Sequence, residues 1–206
     1  MSFPNRKFAG AGSYANAYFR KVAEAASSVD GEKLQQAVDI LTKVYSAGGM
    51  VYSCGNGGSA AVANHLVCDH IKLVRTDTEL TPRVYSLSTT VEMMTAISND
   101  LAYDQVFLYQ LRAMARPGDA LITISASGDS ENIVKAAEWA RENGIPVISL
   151  TGFSGGRSAK IADVNVHVTA DNYGVIEDVH QSIMHLLAQY IRMAHMDEAL
   201  IPQRKF

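Results

Sequence analysis

Gly49-Met50-Val51-Tyr52-Ser53-Cys54-Gly55-Asn56-Gly57-Gly58-Ser59 is the stretch that decides the fold of this 206-residue chain. Met50–Ser53 is a short apolar run with strand character, and it opens directly into a glycine-rich turn. A helix-patterned segment begins at Ala60. Strand, glycine turn and helix in immediate succession describe a ligand loop. Glycine lets the backbone approach an anion, and the helix start offers amides that have no intrahelical partner. The ligand this predicts carries a phosphate; a tight strand-to-helix turn with no ligand is the plain alternative.

The letters separate the other glycine-rich readings. A nucleotide P-loop needs a Gly-Lys-Ser/Thr ending, and the loop has no such lysine. Gly55-Asn56-Gly57-Gly58-Ser59-Ala60 satisfies the loose dinucleotide pattern, whose acidic partner should end the next strand. That strand, Arg83–Ser88, ends in Ser and is followed by Thr.

Outward from this loop the periodicity alternates. Strand-like runs at Met50–Ser53, Val84–Leu87, Ala120–Ile124, Pro146–Leu150 and Val164–Val168 are separated by helical patterns near Ala60–Val74, Val91–Ser98, Gln105–Ala115, Glu131–Asn143 and Ile176–Ala194. Two further helices, Tyr14–Ser27 and Lys33–Ala47, precede the first strand and are joined at Asp30-Gly31. Such alternation predicts right-handed crossovers and a mainly parallel sheet, an α/β fold with ligands at the carboxyl ends of the strands. We expect one domain over residues 1–206, with a helical arm at about 12–47 and a sheet core at about 48–195. The tail from Ile201 is expected to fray.

Composition excludes several classes. With 48% hydrophobic and 19% charged residues the chain is not generally disordered. A net charge of -3 gives no footprint for nucleic acid or an anionic membrane. No apolar run reaches the ~18 residues of a membrane span, and the first twelve residues lack the apolar centre of a signal peptide. A cytoplasmic protein is expected. Cys54 and Cys68 have no metal-type spacing and read as buried reduced thiols.

A second loop follows the logic of the first. Strand Ala120–Ile124 opens into Ser125-Ala126-Ser127-Gly128-Asp129-Ser130, and a helix pattern starts at Glu131. Three hydroxyls and a glycine at a helix start form a neutral phosphate cradle. Simple helix capping by Ser127 or Ser130 is the alternative. Asp129 would repel a phosphate unless it points outward.

Two polar pairs lie on helices. His65 and Asp69 are four apart on the helix after the first loop, so both project from one face. Glu177 and His185 are eight apart on the last helix and again face one way. If the helices meet, two imidazoles and two carboxylates can hold a divalent metal. His180 lies between the second pair and is a candidate for a supporting or catalytic role. His70 and His195 read as ordinary hydrogen-bonded histidines, and Asn99-Asp100 as a helix-ending turn.

In this order and spacing, Ser53–Ser59, His65, Ser98-Asn99-Asp100, Ser125–Ser130, Leu150-Thr151-Gly152 and His185 resemble the sugar isomerase (SIS) domain family, and within it the sedoheptulose 7-phosphate (phosphoheptose) isomerases. The resemblance runs from the paired N-terminal helices to Ala194. It implies a three-layer α/β/α sandwich with a five-stranded sheet, and a homotetramer with active sites at subunit interfaces. It also implies a divalent metal, usually zinc, held at His65, Asp69, Glu177 and His185. Asn56, Gly57, Gly58, Asn99, Asp100, Ser125, Ser127 and Ser130 would contact the phosphorylated sugar, with Ser59 and Glu177 as further candidates. Asp69, His185 and His180 are the candidate catalytic residues.

The chain departs from the family pattern at four of these places. Asp69 stands where the family carries Glu, Glu177 where it carries Gln, Ala126 where it carries Thr and Gly174 where it carries Asp. The shorter Asp69 reaches less far toward a substrate carbon. Glu177 adds a charge that would tighten metal binding while weakening the ion as a Lewis acid. Metal-assisted isomerisation of a ketose phosphate to an aldose phosphate is the expected activity. A non-catalytic phosphosugar-binding or replication-initiator-associating member of the family is the rival.

Overall fold

The strands of the computed structural model, which describes residues 3–206, are β1 (Met50–Gly55), β2 (Arg83–Ser86), β3 (Ala120–Ser125), β4 (Val147–Thr151) and β5 (Val164–His167). They form one sheet in the order β2-β1-β3-β4-β5, and every pairing is parallel. Central position explains the composition of β3. All six of its residues are buried, so it reads as an unbroken apolar run rather than an alternating one.

Helices cover both faces. On one side lie α2 (Gly31–Ser46), α3 (Gly58–Cys68) and α8 (Tyr173–His195), with α1 (Ala11–Ala26) packed outside against α8. On the other lie α4 (Val91–Asp100), α5 (Val106–Met114) and α6 (Glu131–Glu142). The short α7 (Ser158–Ile161) sits between β4 and β5. Alternation along the strands divides the core accordingly: Val51, Ile122 and Ile124 face the first layer, while Tyr52, Cys54 and Leu121 face the second. Each such Val, Leu or Ile side chain contributes about 1.5–3 kcal/mol relative to exposure. The expected three-layer α/β/α sandwich is therefore present, with a sheet that is wholly rather than mainly parallel.

Strand order reverses between β1 and β3, because β1 connects outward to β2 and the chain then returns to the other side. In open parallel sheets this reversal leaves a crevice at the carboxyl ends of the strands. The two glycine- and serine-rich loops follow β1 and β3, the strands that flank it.

Three expectations give way. The helix drawn over Ala60–Val74 is α-helical only to Cys68, then widens into a π-helical turn over Asp69–Val74. The tail does not fray. Residues Glu198–Gln203 form a 3-10 turn, and Arg192, 2% exposed, donates to the carbonyls of Thr76 (3.1 Å) and Lys205 (3.0 Å) and to Asp77 (2.8 Å). Cys68 is exposed, whereas Cys54 is buried and its thiol is pushed up by burial. Among the described residues no helix is long and apolar enough to cross a membrane.

Candidate functional site

The first loop is shaped by glycine. Gly57 precedes α3 with φ 54° and ψ -123°, a conformation that side chains disfavour. No side chain caps α3, so its first amides stay available to a ligand. Ser88, at the end of the β2 segment where a dinucleotide fold would carry an acid, holds the loop from below. Its hydroxyl accepts from the Gly55 N–H (3.1 Å) and donates to the Gly55 carbonyl (2.8 Å).

Asn56 ties the first loop to the second. It exchanges two hydrogen bonds with Asn132 on α6, both 2.9 Å, and accepts a third from the Tyr103 hydroxyl at 2.8 Å. In the second loop the Ser125 hydroxyl accepts from Gly128 N–H (3.2 Å) and the Ser127 hydroxyl from Asp129 N–H (3.3 Å). Ser130 occupies the N-cap position of α6, yet its side chain makes no capping bond, so capping does not account for it. Asp129 points outward: Arg157 donates to it from the backbone (3.2 Å) and from Nε (2.8 Å), and also grips Glu131 (2.9 Å). The carboxylate that would repel a phosphate is held on the far side of the loop.

Between the loops lies a cavity of about 140 Å³. Its polar lining is Asn56, Ser59, Ser125, Ser127, Ser130 and Glu177, with Tyr173 and Ala126 beside them. Glu177 reaches it from α8. A Cβ built on Gly58 would meet Glu177 Oε2 at 2.3 Å, so this carboxylate lies directly over the first turn of α3. Burial, reinforced by the neighbouring Asp178, pushes the Glu177 carboxyl above its ordinary range.

Further along the same two helices, His65, Asp69 and His185 converge, with one donor atom of each within 4.8 Å of the others. His65 Nε2 lies 3.3 Å from Asp69 Oδ1, and His185 Nδ1 lies 2.6 Å from Asp69 Oδ2. The π-helical turn begins at Asp69 itself, and such widenings recur at functional sites. Three of the four expected metal ligands are thus brought together. Glu177 is placed with the serine loops instead.

The remaining candidates sort by burial. His180 is fully buried, its Nε2 3.2 Å from the Thr151 carbonyl, and desolvation lowers its pKa to about 4. It is sealed beneath the end of β4 rather than in the cavity. His70 is likewise buried, 2.6 Å from the Tyr45 hydroxyl, and His195 bonds the Ile191 carbonyl at 2.9 Å. Asn99 and Asp100 bond each other at the exposed end of α4 and do not line the cavity.

The SIS domain family model matches residues 14–152, which span both loops and the His65–Asp69 pair. The chain belongs to the SIS domain family. Curated members that it resembles include a phosphoheptose isomerase of Colwellia psychrerythraea, 37% identical over 87% of this chain and 90% of that protein. Another is the phosphoheptose isomerase of Rhodospirillum rubrum, 38% identical over 78% of this chain and 85% of that one. Among solved SIS structures, a phosphoheptose isomerase from Neisseria gonorrhoeae superposes with a TM-score of 0.81 at 32% identity, covering 88% of this chain and 98% of that one.

The donor set of this SIS chain fits the metal that the family resemblance implies. Two imidazoles and one carboxylate within 4.8 Å of one another form the nitrogen and oxygen set that zinc accepts.

Reading the sequence alone misses Tyr103, Asn132, Tyr173, Arg157 and Gln181. Gln181 had a signal: it lies four residues after Glu177 and four before His185, on their common face. Arg157 had none, since it reaches Asp129 from 28 positions away across two loops.

Proposed function

We propose that this chain is a phosphosugar isomerase that interconverts a ketose phosphate and an aldose phosphate, with sedoheptulose 7-phosphate and D-glycero-D-manno-heptose 7-phosphate as its pair. One observation carries the reading: α8 lines the serine-loop cavity at Tyr173 and Glu177 and, two turns on, contributes His185 to the histidine–aspartate cluster. A rise of 1.5 Å per residue separates Glu177 from His185 by about 12 Å along the helix. That is the scale of an extended seven-carbon sugar phosphate. A cavity of about 140 Å³ is smaller than the usual small-molecule pocket, as expected if it takes only the phosphate end.

In this mechanism the amides of Gly57, Gly58 and Ser59 and the hydroxyls of Ser125, Ser127 and Ser130 hold the phosphate. Glu177, which lies over the first turn of α3, swings aside to admit the phosphate and receives the sugar hydroxyls next to it. A divalent ion at His65, Asp69 and His185 would supply a Lewis acid for the C1 and C2 oxygens. A proton leaves the carbon beside the carbonyl, an enediol forms, and the proton returns to the neighbouring carbon. Asp69 carries it, because a carboxylate keeps a second oxygen when one is on the ion, whereas His185 would have one ring nitrogen on the ion and the other against Gln181. His180, neutral and buried, steadies the end of β4 through Thr151 instead.

Assembly as a homotetramer with interfacial sites belongs to the same proposal. It is supported by Leu186, Tyr190 and Met193, which are exposed on α8 and line an apolar groove that begins at His185 and includes Ile201 and Phe206. The non-catalytic alternative is disfavoured by the assembled donor cluster, which phosphosugar binding alone does not require. Metal analysis of purified protein, followed by thermal shifts with ketose and aldose phosphates, tests the reading. Bound divalent metal and stabilisation by both sugars are expected. Stabilisation by the sugars without metal would leave a phosphosugar-binding protein, and absence of both a scaffold protein.

A further inference from the structure

Gln181 touches both histidines of the cluster from behind. Its amide nitrogen position lies 3.0 Å from His185 Nε2 and 3.3 Å from His65 Nδ1. These are the ring nitrogens turned away from Asp69, whose carboxylate meets the opposite nitrogens, His65 Nε2 and His185 Nδ1. One carboxylate thus faces the inner edges of the two imidazoles, and one amide faces both outer edges.

We propose that Gln181 is a positioning residue of the metal site, whose side-chain carbonyl oxygen accepts an N–H from each imidazole and thereby fixes their tautomers and orientation. The inference rests on the reading of His65, Asp69 and His185 as metal ligands. A neutral imidazole carries one proton, and ligation uses the bare nitrogen. With the inner nitrogens of His65 and His185 committed to a metal beside Asp69, the proton of each ring stands on its outer nitrogen. Two donors then converge on one atom. An amide NH2 group cannot receive them, whereas a carbonyl oxygen has two lone pairs and can. The oxygen and nitrogen of a glutamine amide are nearly isosteric, and their assignment follows from the hydrogen-bond network. Metal loading therefore turns the amide so that Oε1 faces the rings.

The geometry suits the task. Gln181 is half-buried and sits one helical turn from His185, so its amide can hold that ring while reaching across to α3. Acceptors behind ligating histidines typically affect metal affinity by about 10- to 100-fold.

Cobalt titration of the full chain against a competing chelator tests the proposal, comparing the native protein with Gln181→Leu, Gln181→Met and Gln181→Glu. Leucine and methionine remove the acceptor and should weaken cobalt binding by about 10- to 100-fold. Glutamate retains an acceptor and should keep affinity near the native level. The visible absorption bands of bound cobalt should stay in place in Gln181→Leu at saturation, because the directly bound ligands are unchanged. Native affinity in both Gln181→Leu and Gln181→Met would overturn the inference alone, as would a loss in Gln181→Glu equal to that in Gln181→Leu. Displaced cobalt bands in Gln181→Leu would overturn it in favour of direct ligation by the amide. A native chain that takes up no cobalt would overturn the ligand reading and this inference with it.

Discussion

His185 Nδ1 and Asp69 Oδ2 lie 2.6 Å apart although 116 positions separate them in the chain. This contact joins the C-terminal helix to the segment launched by the first glycine loop, so the histidine–aspartate cluster and the two loops share a frame. Replacing His65 or His185 with Ala removes one of three converging donors. Metal content and turnover should fall together, turnover by about 100-fold or more as expected for loss of acid–base catalysis. Elemental analysis beside a coupled isomerase assay checks this. Turnover that survives complete metal loss would contradict the proposed chemistry.

Gly58→Ala displaces Glu177 from over the first turn of α3, and Glu177→Gln beside it separates the carboxylate's role from that of the Gly58 amide in the phosphate cradle. The added methyl group would stand 2.3 Å from Glu177 Oε2, so the carboxylate must move, and the end of a flexible side chain can do so cheaply. We expect a stability change of less than about 1 kcal/mol, since no core contact is lost, together with a clear loss of kcat/KM. Chemical denaturation and steady-state kinetics on the same preparation read both quantities. Unchanged kinetics would remove Glu177 from the substrate site.

Arg157→Ala releases Asp129 from the guanidinium that holds its carboxyl below the usual carboxylate range. The freed charge stands beside the second serine loop and opposes a phosphate. KM should rise by about two- to fivefold through a solvent-screened repulsion, with kcat unchanged. Adding Asp129→Asn should restore KM; persistence of the defect would mean that Arg157 acts otherwise.

The parallel sheet was legible because its three central strands, β1, β3 and β4, are buried on both faces and appear as largely apolar runs separated by helical periodicity. The two loops were legible because glycines and hydroxyls stand directly between strand and helix. His65 and Asp69 were legible as a pair from helical spacing alone. Glu177 was not placed by the same rule. Eight residues on one face put it and His185 two turns apart, and side-chain direction decides whether both reach one point; Glu177 turns toward Gly58. The π-helical turn at Asp69–Val74 is too short to leave a periodicity of its own. Docking of the tail depends on Arg204 meeting Asp77, 127 positions away, a long-range contact with no local signature.

Burial of His180 gives a pH dependence. With its folded-state pKa lowered to about 4, the folded protein keeps this ring neutral where the unfolded chain, near 6.5, takes up a proton. Stability from this group is full above pH 6.5 and declines as pH falls toward 4, by about 3 kcal/mol in all. Urea unfolding at several pH values should therefore show a flatter profile for His180→Gln than for the native chain between pH 6.5 and 4. Parallel profiles would mean that the ring is not protected.

Sedoheptulose 7-phosphate incubated with the metal-loaded protein in heavy water and followed by NMR tests the central claim most directly. An enediol isomerase should produce the aldose phosphate with solvent deuterium at C2, and the His185→Ala variant should produce neither signal. An unchanged ketose, or an aldose without deuterium at C2 across a range of conversions, would contradict the account.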